Sequence, residues 1–249
     1  MGKKKKSESF APGTILIWVF ALVCLAAVFL LANSSLFNVS DITVIGCSRF
    51  SAGEIIAASG ISEDVNILHV DEETAKTEIE KNPYLTVTDI RRVFPTGVEI
   101  YVAERVPTAQ IHTANGWYVT DEDCVALSLN NGGDDHLITL ENISIHLPTF
   151  GSVISSDSDE KTEAACLVLA AARQAGLTEK IHSVDLADPA GITLLYGDDL
   201  TVKIGKAVTA AEKLPQLEAT LDSVRDKLKP GCVLNMVTSG SYYFSENDK

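Results

Sequence analysis

The chain opens on a lysine-rich polar stretch, then runs from Ile15 to Ala32 without a charged residue, a glycine or a proline. This run shows neither a one-sided helical stripe nor strand alternation; it is apolar all round, the pattern of a helix with no polar face to present. At about 1.5 Å per residue its eighteen positions make a helix of roughly 27 Å, close to the hydrocarbon thickness of a bilayer. Backbone in lipid must satisfy its own hydrogen bonds, so an isolated span is helical. The pattern predicts a transmembrane helix over 14–32. Lys3, Lys4, Lys5 and Lys6 hold residues 1–13 in the cytoplasm and send the rest outward. A cleaved signal peptide is the rival, with Ala32 and Ser34 as a weak cleavage site. Its apolar region runs about 7–15 residues, shorter than this one, so the length favours an uncleaved anchor. Trp18 reads as an interfacial ring or a contact with another helix.

Beyond the run the pattern changes to short alternating segments separated by turn residues. Val39, Ile42, Val44 and Ile45 predict a strand ending at Gly46. Ser51-Ala52-Gly53-Glu54 has the form of a capping box, in which serine and glutamate each satisfy a free N–H at a helix start, and Gly60 stops that helix. A second helix starts near Asp71, with acidic residues in its first turn, and closes at Lys81-Asn82-Pro83. Leu85 to Val93 and Val98 to Ala103 alternate about Phe94-Pro95-Thr96-Gly97, a hairpin. The order is β-α-α-β-β.

The remainder is mostly strand-like. Gly116 to Val119 and Val125 to Ser128 flank the acidic turn Asp121-Glu122-Asp123. A helix runs from about Glu160 to Ala175 and stops at Gly176. Strands follow near Ile181–Leu186, Ile192–Tyr196 and Leu200–Ile204, with Gly197-Asp198-Asp199 as a turn. A longer amphipathic helix spans roughly Val208 to Leu228, kinked or starting late because of Pro215. Val233 to Val237 and Tyr242 to Phe244 read as terminal strands about Ser239-Gly240. The expected class is α+β: a single N-terminal transmembrane helix, a β-α-α-β-β domain, and a mixed β domain with flanking helices.

Charge sharpens the topology. The chain has 20 Lys+Arg and 34 Asp+Glu; setting aside the four N-terminal lysines and Glu8 leaves 16 against 33, a formal charge of −17 on residues 33–249. Such a surface repels nucleic acid and other polyanions, which excludes a nucleic-acid role. Cys24 lies in the apolar run, and Cys47, Cys124, Cys166 and Cys232 lie beyond it. None forms a C-x-x-C pair, so buried free thiols are the default reading, and the scatter gives little reason to expect disulfides.

The residues also carry a resemblance. Phe37-x-Val39-x-x-Ile42-x-Val44-x-Gly46, Ser51-x-x-Glu54-Ile55, Asn66-Ile67, Pro83-Tyr84, Arg92-x-x-Pro95, Val98-x-Ile100-x-Val102 and Glu104-Arg105-x-Pro107-x-Ala109 occur in order. Leu147-Pro148-x-x-Gly151 and Val202-x-Ile204-Gly205 follow. Together, directly after a membrane anchor, they resemble the FtsQ/DivIB family of bacterial cell-division proteins. The resemblance implies a POTRA domain over 37–105, a β domain over 106–244 and a short tail over 245–249. One departure is Asp121-Glu122-Asp123-Cys124, where the family often has Asp-x-x-Gly.

Enzyme signatures are missing from the sequence. His69, His112, His136, His146 and His182 have no metal-ligand spacing, and no G-x-S-x-G or S-x-x-K element occurs at a strand–helix turn. The acidic pairs Asp134-Asp135 and Asp198-Asp199 read as solvated turns. No catalytic residue, cofactor or metal is expected. The mechanism left is binding, and the short aromatic segment Ser241-Tyr242-Tyr243-Phe244 is the candidate edge for an added partner strand. The resemblance points the same way and implies FtsB/DivIC-type and FtsL-type single-span partners and a septal peptidoglycan synthase complex. Glu104, Arg105 and Pro107 are the candidate joint between domains. The expected function is a non-catalytic divisome scaffold at the septal membrane; the alternative is an exported cell-wall enzyme or wall-binding domain.

Overall fold

The computed structural model describes residues 12–197, 199–224, 231–238 and 243–246. Helix α1 (Pro12–Ala32) is followed by β1 (Asp41–Ile45), α2 (Ala52–Ser59), α3 (Glu72–Ile79), β2 (Leu85–Val93) and β3 (Gly97–Glu104). From Leu16 on, the large apolar side chains of α1 are exposed, Leu16 by 72% and Leu30 by 70%. Among the described residues no helix is long and apolar enough to cross a membrane, and the span expected over 14–32 is not established by the fold alone.

The first block forms for local reasons legible in its caps. The Ser51 hydroxyl accepts from Glu54 N while Glu54 accepts from Ser51 N at 2.8 Å, closing the capping box, and Gly60 ends α2 at φ 68°. The Asp71 carboxylate caps α3 through Thr74 N at 3.1 Å and Thr74 Oγ1 at 2.7 Å. β1, β3 and β2 form a three-stranded sheet in that order, with β1 parallel to β3. Buried Val98, Ile100 and Val102 recur at every second position of β3, and Ile55, Ala75 and Ile79 of the helices are buried with them. Such period-two burial is what a sheet with one covered face requires.

Among the described residues the second block is one nine-stranded sheet. Its strands are β4 (Ala109–Thr113), β5 (Gly116–Thr120), β6 (Ala126–Asn130), β7 (Ile138–Glu141), β8 (Ile181–Asp185), β9 (Ile192–Tyr196), β10 (Leu200–Gly205), β11 (Cys232–Asn235) and β12 (Tyr243–Glu246). Their spatial order is β12-β11-β10-β9-β8-β7-β4-β5-β6. The parallel neighbours β7/β8 and β10/β11 are joined by helices α4 (Asp159–Gln174) and α5 (Ala210–Val224), the crossover that parallel pairing demands. One cluster holds the apolar side chains of both helices with those of the strands, among them Val168, Leu169, Leu214, Leu217, Val184, Leu194 and Leu234.

Helix α4 ends in a Schellman turn: Leu177 N donates to Ala172 O, Gly176 N donates to Arg173 O, and Gly176 has φ 68°. Helix α5 begins later than expected, at Ala210 after a 3-10 turn over Ala207–Thr209. The late start places Pro215 near the beginning of the helix, where its missing N–H removes a single bond. Residues 225–228 of that expectation lie outside the described residues, as do Asp198 and the Ser239-Gly240 turn. Two strands not foreseen from the pattern, β4 and β7, occupy the middle of the sheet.

By contacts the chain divides into two compact units, one running to Ile79 and including Val87–Ala103, the other holding Glu80–Thr86 and the chain from Glu104 on. Thiol burial differs from the expectation. Cys124 and Cys232 are buried, but Cys24 is exposed and Cys47 and Cys166 are half-buried.

Candidate docking edge and domain joint

The edge begins with α5. Lys213 falls between Ala210, Leu214 and Leu217 on the apolar stripe of that helix and is only 3% exposed. Its Nζ donates to Ile204 O at 2.7 Å and to Val237 O at 3.0 Å. One ammonium thereby ties the end of β10 to the residue two places beyond β11. Burial lowers the Lys213 pKa below the usual lysine value, with the nearby Glu212 charge opposing. Met236 N donates to Lys203 O at 2.9 Å, and Asn235 Oδ1 accepts from Val237 N at 3.0 Å, so the chain leaving β11 is held at several points.

On that support lies β12. It pairs antiparallel with β11, Tyr243 opposite Asn235 and Phe244 opposite Leu234. It is the outermost strand on its side of the sheet, so among the described residues its other side meets no strand. The opposite edge, β6, is partly covered: Ala126 N donates to Ser152 O at 2.9 Å and Gly151 N donates to Ala126 O at 2.8 Å. Of the segment expected to dock a partner, Tyr243 and Phe244 fall within β12, whereas Ser241 and Tyr242 lie outside the described residues.

The expected joint resolves into separate roles. Glu104 closes β3 and is the first residue of the second unit's longer stretch. Arg105 fastens within that unit: its N donates to Tyr84 O at 2.8 Å and its Nη1 to Asp121 Oδ2 at 2.7 Å. Asp121 is 3% exposed and its Oδ1 also accepts from Asp123 N at 3.0 Å and Val125 N at 2.7 Å. The acidic turn thus has a built acceptor at its centre. Cys124 has φ 58°, the left-handed conformation that glycine takes without strain. The turn keeps a glycine-type backbone without the glycine. Pro107 borders a cavity of about 420 Å³ with His136, Arg173 and Glu179. Arg173, in the last turn of α4, pairs with Glu122, whose pKa burial raises against the pull of that arginine.

Lys213 and the hub at Asp121 were missed by sequence reasoning. A lysine on the apolar stripe of α5 was the available signal for the first; nothing local marks the second. Among the described residues no group of three or more His, Cys, Asp or Glu side chains could hold a metal.

The POTRA domain of FtsQ type matches residues 37–105. A cell division protein FtsQ of Syntrophotalea carbinolica is 36% identical over 114 residues, 46% of this chain and 40% of that protein. The FtsQ of Corynebacterium glutamicum is 26% identical over 225 residues, covering 87% of this chain and 91% of its own length. A cell division protein DivIB of Clostridium acetobutylicum is 28% identical over 123 residues, 49% of each. Over residues 37–105 the chain thus carries a POTRA domain of FtsQ type, and the relatives it resembles are the cell division proteins FtsQ and DivIB. The chain is α+β in class and built with a POTRA domain of FtsQ type. The matches span less than half of the Syntrophotalea relative and about half of the Clostridium one.

Proposed function

We propose that this protein is a membrane-anchored divisome scaffold of FtsQ/DivIB type that receives a strand from a single-span partner on the open side of β12. On this reading residues 14–32 span the cell membrane, residues 1–13 are cytoplasmic, and the rest works outside at the septum. It binds FtsB/DivIC-type and FtsL-type proteins and helps position or regulate a septal peptidoglycan synthase complex. The observation that carries the reading is the place of β12, which among the described residues is outermost in a nine-stranded sheet and pairs with a strand on one side only. Main-chain groups on such an edge supply affinity to an added strand, and the side chains beside it supply selectivity. The α1 side chains described from Leu16 onward support the anchor, because large apolar groups exposed all round a helix suit lipid rather than water. Confinement to one membrane raises the effective concentration of partners for each other without any bond chemistry.

Tyr243→Lys tests the docking edge, since an edge lysine opposes strand addition. Binding of the full chain to the ectodomain of the FtsB/DivIC-type partner should fall at least tenfold while the circular dichroism spectrum stays that of the parent. Undiminished affinity in the folded variant removes β12 from the mechanism. A midcell band of a fluorescent fusion is expected, whereas uniform peripheral labelling supports the wall-enzyme alternative.

A further inference from the structure

Cys124 precedes β6 and Cys166 lies in the middle of α4, yet the fold brings them together. Cys124 is fully buried in the turn organised by Asp121, and Cys166 is half-buried at the margin of the same apolar cluster. The Cys166 S–H donates to the Asp123 carbonyl, 3.7 Å away, so its sulfur sits against the residue that precedes Cys124. The Glu122–Arg173 ion pair holds the same turn against the last turn of α4. The pair is therefore framed on both sides by fixed contacts rather than met by chance in a loose surface.

We propose that Cys124 and Cys166 form a reversible disulfide by exchange with a low-molecular-weight disulfide outside the membrane. The step rests on the reading that this part of the chain is exported, because such compartments sustain disulfides. The roles are unequal. The Cys124 thiol beside it lowers the Cys166 pKa against the opposing effect of burial, whereas Cys166 and burial both raise the Cys124 pKa. The more accessible sulfur is thus the better nucleophile. Its thiolate attacks one sulfur of R–S–S–R; that bond breaks and one thiolate R–S⁻ leaves. Cys124 then gives up its proton and attacks Cys166 Sγ, releasing the second R–S⁻. Two protein thiols are oxidised to one disulfide, the small disulfide is reduced to two thiols, and both protein protons end on those thiols or in the buffer. The new bond tethers α4 to the turn that starts β6.

Purified full chain in detergent is equilibrated with oxidised and reduced glutathione, alkylated, digested without reductant and mapped by mass spectrometry. The expected product is an intact chain two hydrogens lighter, with the Cys124 and Cys166 peptides linked and thermal unfolding raised by several degrees. Dithiothreitol should reverse every change. Cys124→Ser should trap glutathione on Cys166, and Cys166→Ser should leave Cys124 unmodified in the folded protein. A wild-type chain that carries glutathione stably on Cys166, or keeps both thiols free under full oxidation, overturns the proposal. Protease digestion of intact cells reads the export assumption independently: loss of the C-terminal region from outside is expected. Protection there removes the exported reading and the oxidising setting, whereas failure of linkage in the purified chain removes the thiol pair itself.

Discussion

Asp121→Ala removes a carboxylate shared by three donors. Val125 N, 2.7 Å from Oδ1, belongs to a residue only 4% exposed and has no water to turn to, a loss of about 1–3 kcal/mol. Asp123 N is better placed to hydrate and adds little. The Arg105 guanidinium is 23% exposed and can recover part of its solvation, so losing its partner adds about 1 kcal/mol. The expected destabilisation is about 2–4 kcal/mol, which for a domain of this size lowers the melting temperature by about 5–15 °C. Asp121→Asn separates the contributions. It keeps an oxygen for the two backbone donors and removes the charge, so it should cost about 1–2 kcal/mol, and less still in an Arg105→Met background. Urea unfolding of the full chain in detergent, followed by fluorescence of Trp117 in the neighbouring β5, measures each variant against its own background. An alanine variant within 0.5 kcal/mol of wild type, or alanine and asparagine variants of equal stability, refutes the account of Asp121 as the acceptor that builds the turn.

Gly46→Ala should unfold the POTRA domain first: at φ 97° the new Cβ would lie 2.2 Å from the Val102 carbonyl, a clash and a backbone strain worth about 2–4 kcal/mol together, readable by hydrogen exchange in β1 and β3. Ser51→Ala removes the α2 cap and should cost about 1 kcal/mol in a thermal melt. Because the bonds from Ser51 lower the Glu54 pKa below 4.5, the cap's contribution is present above the ordinary glutamate value and fades as pH falls through the lowered one. Lys213→Met leaves the Ile204 and Val237 carbonyls without their donor and should weaken partner binding through a looser β10–β11 support, seen as a faster off-rate by surface plasmon resonance. With its pKa lowered in the folded state, Lys213 penalises folding at neutral pH. Wild-type stability should therefore rise relative to Lys213→Met as pH climbs from the lowered value toward 10.5, and a constant difference across that range contradicts the burial of its charge.

What the sequence by itself determined was whatever rests on neighbours along the chain. The all-round apolar run, the capping box at Ser51, the stop at Gly60, the hairpin after Val93 and the helix ending at Gly176 all follow from residues within one or two turns of one another. Even the terminal strand at Tyr243 was legible, because alternation and a turn signal need no knowledge of the partner strand. Tertiary structure decided the rest. β4 hides from a pattern reading because Gln110 breaks its apolar run; the residue is buried only because Asp134 and Thr139, far along the chain, satisfy its amide. β7 is four residues long and exists through parallel pairing with β4 and β8, contacts that no local period encodes. The same holds for the edge itself: that β12 ends the sheet follows from a strand order set by the crossovers through α4 and α5. Cysteines scattered in sequence become a pair, and a lysine on an apolar stripe becomes a clamp, because buried polar groups are placed by the distant atoms that complete their hydrogen bonds.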